Sequence, residues 1–169
     1  MRTYQSGVGL MEVLVALFVL AIGVLGFIAL QYRAGEATIE ANNRVQAMNV
    51  ARNLAEQIRI NSTAQASYTG SLSGLQSSNN CFNNSCSPTQ KAAFDLAQTA
   101  SQASNLGMQV AIITCPLALD GRQCIYVAWN KTDPVDSTAT TQGHVPCTQS
   151  TSNGFSYSPD STCVVMEAY

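Results

Sequence analysis

A long apolar segment near the N-terminus is the clearest pattern in the chain. Residues 13–30 read VLVALFVLAIGVLGFIAL and contain no polar side chain. At a rise of 1.5 Å per residue, a segment of this size forms about 27 Å of α-helix, close to the thickness of the hydrocarbon core of a bilayer. The pattern therefore predicts a transmembrane helix at about residues 10–30.

Helical periodicity continues beyond Leu30 in an amphipathic form. Charged side chains appear among small and apolar ones, and residues 36–59 contain no Pro. A single helix from about Gly9 to Ile60 would be about 78 Å long, far longer than a bilayer is thick. We therefore expect its second half to pack on a head domain. The apolar positions that recur every three or four residues and define the expected packing face are Ala37, Ala41, Val45, Met48, Ala51, Ala55 and Ile58.

The segment that follows this helix is polar. Asn61–Asn84 is rich in Ser, Asn, Gln, Thr and Gly, and its few apolar anchors are Tyr68, Leu72 and Leu75. Such a composition is typical of segments that run over the surface of a domain. We expect a surface loop here.

A second, shorter helix is predicted from its start signal. Ser87 stands at the N-cap position, Pro88 at the first helical position, and Gln90 completes a capping box. Apolar side chains then recur at helical spacing. The pattern predicts a helix from about Pro88 to Ser104, with Gly107 soon after its end.

The periodicity changes to that of strands after the second helix. Met108–Cys115 and Cys124–Trp129 are rich in Val, Ile, Tyr and Trp, and the turn signal Asp120-Gly121 lies between them, which predicts an antiparallel pair. Thr132–Gly143 predicts a polar excursion, and Thr162–Ala168 predicts a last short strand. The order of elements predicts an α+β fold, with a long N-terminal helical spine packed on a small antiparallel β-sheet head.

Composition and charge narrow the classes of function. A chain of 169 residues holds one globular unit with a tail. Only 11% of the residues are charged, the formal net charge is -2, and the basic residues do not cluster. A nucleic-acid site needs clustered Lys and Arg to neutralise phosphates. We therefore expect no direct nucleic-acid site.

The six Cys all lie beyond residue 80, outside the apolar segment. An even number confined to the head indicates disulfides in an oxidising compartment, and six Cys allow fifteen connectivities, which the sequence leaves open. Local pairing is our first expectation, because each local pair brackets a turn-rich segment, whereas the separations do not suit a zinc site. The expected pairs are Cys81 with Cys86, Cys115 with Cys124, and Cys147 with Cys163.

The head shows no convincing catalytic or metal-binding pattern. His144 is the only His and stands in a Gly-His-Val-Pro loop, where we expect a solvated side chain. Asp133 and Asp136 are expected to be solvated loop carboxylates, since two carboxylates fall short of the roughly six to eight oxygens that bind Ca²⁺. Tyr126 and Trp129 are expected on opposite faces of one strand. We expect no catalytic residue, no metal site, no cofactor and no enzyme activity.

Glu12 stands at the start of the apolar segment, where a carboxylate is costly. On insertion scales a carboxylate near the bilayer centre costs about 2.5–3.5 kcal/mol. One interpretation is that Glu12 meets a cationic partner in apolar surroundings. The alternative is that it lies in the headgroup region.

The spacing of Glu12 from the preceding Gly and from the apolar segment resembles that of a known protein family. Residues 7–17, GVGLMEVLVAL, resemble the prepilin signature of type IV pilins, in which a short leader ending in Gly precedes four residues, a Glu and an apolar helix. The resemblance implies that Gly7 ends the leader, that Val8 is the N-methylated first residue of the mature chain, and that Glu12 is its fifth residue. The family most often has Phe where Val8 stands. Cleavage after Gly9 would make Glu12 the third residue and break the family spacing, so we expect cleavage after Gly7.

The resemblance also implies a domain organisation. Residues 1–7 would be the leader peptide, residues 8–60 the hydrophobic and then amphipathic helix, and residues 61–169 a disulfide-bonded periplasmic head. Asp95-Leu96-Ala97 in the second helix is similar to the core of the helix that PilV-type minor pilins and I-type pseudopilins carry there. The fold implied is therefore that of a pilin.

The chain is thus identified as similar to the PilV-type minor pilins. The resemblance implies that Glu12 meets the N-terminal amine of a neighbouring subunit, and that the protein primes pilus assembly at or near the tip, with consequences for adhesion, twitching motility or DNA uptake. The partners implied are other minor pilins, the major pilin, prepilin peptidase and the inner membrane of a Gram-negative cell, before the protein passes into the surface filament. The alternatives are an I-type minor pseudopilin of type II secretion and a membrane-anchored periplasmic binding module.

Overall fold

The structure is a computed structural model that describes residues 9–77, 79–118, 120–151 and 154–168. The chain divides into two compact units, the first ending at Asn42 and the second running from Asn43 to the C-terminus. The predicted leader residues Gly7 and Val8 lie outside the described residues.

The predicted long helix is confirmed as α1, Leu10–Ile60. In the second unit it buries a stripe at intervals of three and four residues, made of Ala47, Val50, Ala51, Leu54 and Ile58.

The buried stripe of α1 only partly follows the one that the apolar periodicity predicted, of which Ala51 and Ile58 are buried. Ala37 and Ala41 lie in the first unit and are exposed, and Val45 is 59% exposed although it belongs to the second unit. Val50 and Leu54 take the central places instead, while Met48 and Ala55 are only partly buried beside them. Two adjacent stripes of the helix are apolar, and the shape of the head decides which one packs.

The segment predicted as a surface loop is partly structured. A 3₁₀ helix covers Ser62–Ser67, and the strand β1, Gly70–Ser71, follows it. Tyr68 is fully buried and Leu72 is only 1% exposed. These two side chains draw the polar segment onto the core, and the backbone N–H of Leu72 donates to the carbonyl of Val110 at 2.9 Å.

The second helix, α2, covers Pro88–Asn105, as its start signal predicts. The Ser87 hydroxyl accepts from the backbone N–H of Gln90 at 3.3 Å, and the Gln90 side chain accepts from the backbone N–H of Ser87 at 2.9 Å. This is the capping box expected from the sequence. Gly107 follows the helix with φ of +69°, a conformation that favours Gly and stops the helix.

Six further strands follow in the described part of the chain: β2 Met108–Thr114, β3 Gln123–Trp129, β4 Thr132–Asp136, β5 Val145–Thr151, β6 Gly154–Tyr157 and β7 Cys163–Glu167. With β1 they form two sheets. One has the order β1-β2-β3-β7 and is antiparallel throughout, and the other has the order β4-β5-β6.

The first sheet contains the predicted antiparallel pair and the predicted last strand. β2 pairs with β3 from Met108 opposite Trp129 to Thr114 opposite Gln123, and β7 pairs with the other side of β3. Alternation places Trp129 in the larger core cluster, with α1 and α2, and Tyr126 in a smaller cluster on the opposite face. Because both faces of β3 are covered, this strand is the centre of the head.

The second sheet corrects the prediction of a polar excursion. The first five residues of the predicted excursion, Thr132–Asp136, form β4, which pairs in parallel with β5. No strand was predicted over residues 145–157, yet β5 and β6 occupy most of this range. Polar positions such as Thr132 and Asp133 are buried here because hydrogen bonds within the fold satisfy them, a possibility that hydropathy does not detect.

The two sheets are joined by covalent and polar links. A disulfide connects Cys147 of β5 with Cys163 of β7, and the Tyr126 hydroxyl lies 3.1 Å from the Thr148 hydroxyl. The other disulfides join Cys81 with Cys86 and Cys115 with Cys124. These are the three local pairs favoured from the sequence.

Replacing both Cys147 and Cys163 by Ala is expected to destabilise the head. The bond closes a sequence separation of 16 residues, and the loop-entropy relation assigns it about 3 kcal/mol of the free energy of unfolding. Loss of buried sulfur contacts adds to this, since Cys147 is fully buried and Cys163 is 4% exposed. Urea unfolding of the full chain in detergent, followed by Trp129 fluorescence, measures the change.

The matched control replaces Cys81 and Cys86 by Ala. This bond spans only 5 residues and its sulfurs are not deeply buried, so the relation gives about 2 kcal/mol and adds little packing loss. Equal destabilisation by the two double variants would contradict the assignment of Cys147–Cys163 as the link that holds the sheets together.

Candidate functional site

The first turn of α1 carries Glu12. The carbonyl of Gly9 accepts from the backbone N–H of Glu12 at 2.9 Å and of Val13 at 3.4 Å, which starts the helix. A carboxylate in the first turn is favoured by the partial positive charge at a helix N-terminus. Its side chain is exposed, and among the described residues no ion pair involves Glu12. The carboxylate is therefore available to a cation from outside the described chain.

An apolar surface follows Glu12 along the helix. Every described side chain from Leu10 to Leu30 is exposed, including Phe18 at 66% and Leu25 at 67%. α1 is the one helix in the described part of the chain that is long and apolar enough to cross a membrane. Contiguous apolar surface of this extent is not left in water, so lipid or another protein must cover it.

The glycines of this helix leave room at its surface. A Cβ added at Gly23, Gly26 or Gly35 would meet nothing within 4 Å in the chain. Packing inside the chain therefore does not require Gly at these positions, although each lowers the helix propensity by up to about 1 kcal/mol relative to Ala in water. Small residues on an apolar helix let a neighbouring helix approach closely.

The head contains a buried carboxylate that the sequence analysis misread. Asp133 has no exposed surface. Its Oδ2 accepts from the backbone N–H groups of Thr140 and Thr141 at 2.7 and 2.6 Å, and its Oδ1 lies 2.7 Å from Nδ1 of His144. The prediction that Asp133 and His144 are solvated loop side chains is therefore wrong, because the loop folds back and closes over the carboxylate.

The hydrogen bonds at Asp133 favour its charged form. Burial opposes ionisation, but the hydrogen bonds from Thr140–Thr141 and His144 outweigh it and lower the pKa of the Asp133 carboxyl below its ordinary value. Both carboxylate oxygens are already occupied as acceptors. The geometry assigns Asp133 to holding the loop at residues 137–144 rather than to chemistry on a substrate.

Asp136 is also drawn into the fold. Its Oδ1 accepts from the Thr148 hydroxyl at 2.7 Å and its Oδ2 accepts from the Ser137 hydroxyl at 2.7 Å, and its side chain is only half-buried. Burial raises the pKa of the neighbouring Tyr126 phenol to about 12. The hydrogen-bonded side chains of Tyr126, Thr148 and Asp136 thus link the two sheets.

A second buried carboxylate lies on the inner face of α2. Asp95 is 1% exposed, accepts from the Tyr68 hydroxyl at 2.8 Å and forms an ion pair with Lys91 one turn earlier. Asn61 donates to the Tyr68 oxygen at 3.1 Å and to the carbonyl of Pro88 at 2.7 Å. Burial, together with the bond to Asp95, raises the pKa of the Tyr68 phenol to about 12. This network ties the end of α1 to the start of α2.

Comparison with known proteins bears on the N-terminal segment and the first part of the head. Residues 29–97 match the model of a protein family described as Type IV pilin Tt1218, and residues 2–28 match the prokaryotic N-terminal methylation motif. No match was found among the curated proteins or among the solved structures.

These matches support a type IV pilin. The observed long apolar helix and sheet head agree with a pilin fold. Type IV pilins are structural subunits rather than enzymes, and the methylation motif implies processing by prepilin peptidase, anchoring in a membrane and assembly with other pilins.

The predicted site residues fall at the N-terminus and in the head. Gly7 and Val8 lie outside the described residues. Glu12 stands in the first turn of α1, at the start of the exposed apolar surface. The six Cys lie in the second unit as three disulfides. Sequence reasoning missed the burial of Asp95 and Asp133. Asp95 stands between Phe94 and Leu96, a signal that could have indicated its burial, whereas Asp133 stands between Thr132 and Pro134 in a polar segment that gives no such signal.

Asp133→Asn is expected to destabilise the head at neutral pH and not in acid. Because the pKa of Asp133 is lowered in the folded state, its stabilisation is fully present above the unfolded value of about 3.9 and is lost as the pH falls through the folded value. Asn resembles the protonated carboxyl, so the difference between wild type and variant should shrink steadily as the pH falls below about 4. Urea unfolding at a series of pH values gives this difference.

Asp160→Asn is the matched control. Asp160 is exposed and has φ of +60°, a conformation that Asn also tolerates. The control should change the free energy of unfolding little at any pH. A constant difference between wild type and Asp133→Asn from neutral pH to pH 3 would contradict a stabilising charge at Asp133.

Proposed function

We propose that this protein is a PilV-type minor pilin that takes part in priming the assembly of a type IV pilus, at or near its tip. The proposal rests on one observation above all: a carboxylate, Glu12, stands in the first turn of a helix whose following side chains are apolar and exposed. A simple membrane anchor does not need this charge. A subunit that must enter an apolar filament core in a defined register needs a charge that a specific partner can recognise.

Glu12 would act by pairing charges before they are buried. A lone carboxylate is expensive in apolar surroundings, whereas a carboxylate that meets an ammonium group loses hydration as part of a pair. The proposed partner is the N-terminal amine of a neighbouring pilin, which cleavage after Gly7 creates at Val8. Only a subunit at the correct axial height can offer this amine, so the pair would select the register.

The proposed path begins in the inner membrane of a Gram-negative cell. Residues 10–30 would lie in the bilayer while residues 61–169 form the periplasmic head, and the apolar helix would then move from lipid into the filament. The exposed apolar side chains of α1 suit both surroundings, because lipid tails and the side chains of neighbouring helices are similarly apolar. Adhesion, twitching motility or DNA uptake would follow from the assembled pilus.

A disulfide-bonded head favours the pilus over the nearest alternative. An I-type pseudopilin of type II secretion shares the leader, helix and order of elements, but heads of that kind that resemble this one often lack Cys. The three disulfides of this head suit a subunit that leaves the periplasm and must stay folded outside the cell. A membrane-anchored periplasmic binding module is the second alternative, and it would not need Glu12.

Cleavage should occur after Gly7 and depend on the peptidase. Intact-mass measurement and N-terminal sequencing of the membrane-fraction protein are expected to give a chain that starts at Val8 with one added methyl group. In a strain without prepilin peptidase the chain should start at Met1. A start at Met1 in both strains would reject processing and leave the binding module as the better explanation.

Glu12→Gln is expected to block assembly without blocking membrane insertion or cleavage. Gln keeps the size and the helix propensity of Glu but cannot pair with an amine as an anion. The variant, expressed in a strain that lacks the wild-type protein, should be cleaved and found in the membrane, be absent from sheared pili, and leave the number of surface pili low. Immunoblots of both fractions and counts by electron microscopy measure this.

Glu36→Gln is the control on the same helix. Glu36 is exposed and its Oε2 lies 3.4 Å from Arg33 Nη1, an ion pair of the kind that contributes little. This variant should assemble like wild type. If Glu12→Gln left pili intact but abolished secretion of type II substrates, the pseudopilin alternative would replace the pilus proposal.

A further inference from the structure

An open groove of about 600 Å³ lies on the head, lined by α2 and by the segment that follows β1. The residues that give it its chemistry are Phe82, Phe94, Gln76, Gln98, Ser101 and Asn105. The whole groove belongs to the second unit. None of the residues that line it belongs to the apolar surface of α1, and the proposed assembly role makes no use of them.

Phe82 is presented to solvent by a constrained loop. It is 74% exposed and lies in the short ring closed by the Cys81–Cys86 disulfide. Its backbone N–H donates to the Asn80 side chain at 3.2 Å, and its ring meets the ring of Phe94 at 4.9 Å in an edge-to-face arrangement of 87°. A large apolar side chain held in place while exposed is pre-organised to bind, because little conformational entropy remains to be lost.

The groove offers neutral polar groups beside this aromatic ring. Phe94, Gln98, Ser101 and Asn105 recur at intervals of four, three and four along α2, so they share one face of the helix. Their amides and hydroxyls can both donate and accept hydrogen bonds.

The groove is also uncharged. None of the residues that line it is Asp, Glu, Lys, Arg or His. The nearby Lys91 Nζ lies 5.7 Å from the centre of the Phe94 ring, and buried Asp95 already holds its charge in an ion pair. The electrostatic character of the site is therefore neutral, while its hydrogen-bonding capacity is high.

This chemistry excludes several kinds of ligand. A phosphate or carboxylate ligand would need cations or a helix N-terminus, and the lining residues supply neither. An extended peptide that adds to a sheet needs an open strand edge, and residues 74–77 of the wall form no strand. A sugar ring has an apolar C–H face for an aromatic ring and hydroxyls for amides, so it matches both components.

We propose that this groove binds a neutral oligosaccharide, with the Phe82 ring against one sugar and the amides of Gln98 and Asn105 on its hydroxyls. The inference stands on the head alone and does not depend on the proposed role in pilus assembly. It adds to that role a ligand class for the head.

Saturation-transfer NMR and calorimetry of the full chain test the proposal. The protein is held in lauryldimethylamine oxide, a detergent without a sugar headgroup, and titrated with linear hexasaccharides of glucose, of galactose and of N-acetylglucosamine. At least one neutral series is expected to bind with a Kd on the order of 0.1–1 mM, and the anionic hexagalacturonate is expected to bind at least about tenfold more weakly.

Three variants locate the binding. Phe82→Ala should weaken binding about tenfold, and Gln98→Glu, which changes an exposed helix position and adds a charge to the groove, should weaken it as well. Phe155→Ala is the matched control, since Phe155 is 41% exposed on β6 and does not line the groove. Circular dichroism and thiol titration confirm that each variant keeps its helices and disulfides.

Several results would overturn the proposal. They are the failure of every neutral series to bind wild type, equal binding of hexagalacturonate, and equal weakening by Phe82→Ala and Phe155→Ala. A change in oligomeric state caused by Phe82→Ala, without any sugar binding by wild type, would instead identify the groove as a contact between protein chains.

Discussion

Covering the apolar side chains of residues 10–30 is the requirement on which the rest of this molecule depends. They lie exposed along α1, and water cannot accommodate a contiguous surface of this kind. This surface must therefore be covered by lipid or by other apolar side chains at every stage. Glu12 stands at the start of this surface. In the proposed function it makes the apolar contact depend on position, because a carboxylate in apolar surroundings needs a specific cation.

The head is stabilised by covalent and polar links as well as by its apolar core. It combines the core between the helices and the first sheet with three disulfides and two buried carboxylates whose oxygens accept hydrogen bonds from the chain. Asp95 ties α2 to the segment after α1, and Asp133 closes a loop beside the second sheet. Asp95 adds polar links to elements that apolar burial already holds, whereas Asp133 holds a polar loop through hydrogen bonds.

Much of the architecture was predictable where local chemistry is strong. The apolar run and the amphipathic periodicity predicted α1, the capping box at Ser87 predicted α2, and the turn at Asp120-Gly121 predicted the pairing of β2 with β3. The second sheet was not predictable, because β4 to β6 are short and polar and their side chains are satisfied by partners far along the chain. The buried stripe of α1 was only partly predicted for a related reason, since periodicity identifies an apolar face but not which of two neighbouring stripes the head will cover.

By itself the sequence determined the features that depend on neighbours within a few residues or on composition: the helices, the central hairpin, the presence of a carboxylate before an apolar segment, and Cys placed at separations that allow local pairing. Only the tertiary structure decided that Asp133 and His144 are partners, that Tyr68 and Leu72 pull a polar segment into the core, and that Phe82 stands beside a neutral groove. The physical reason is the range of the interactions. Helix capping and hydrophobic periodicity act along the chain, whereas the burial of a charge or the opening of a groove depends on which distant residues the fold brings close.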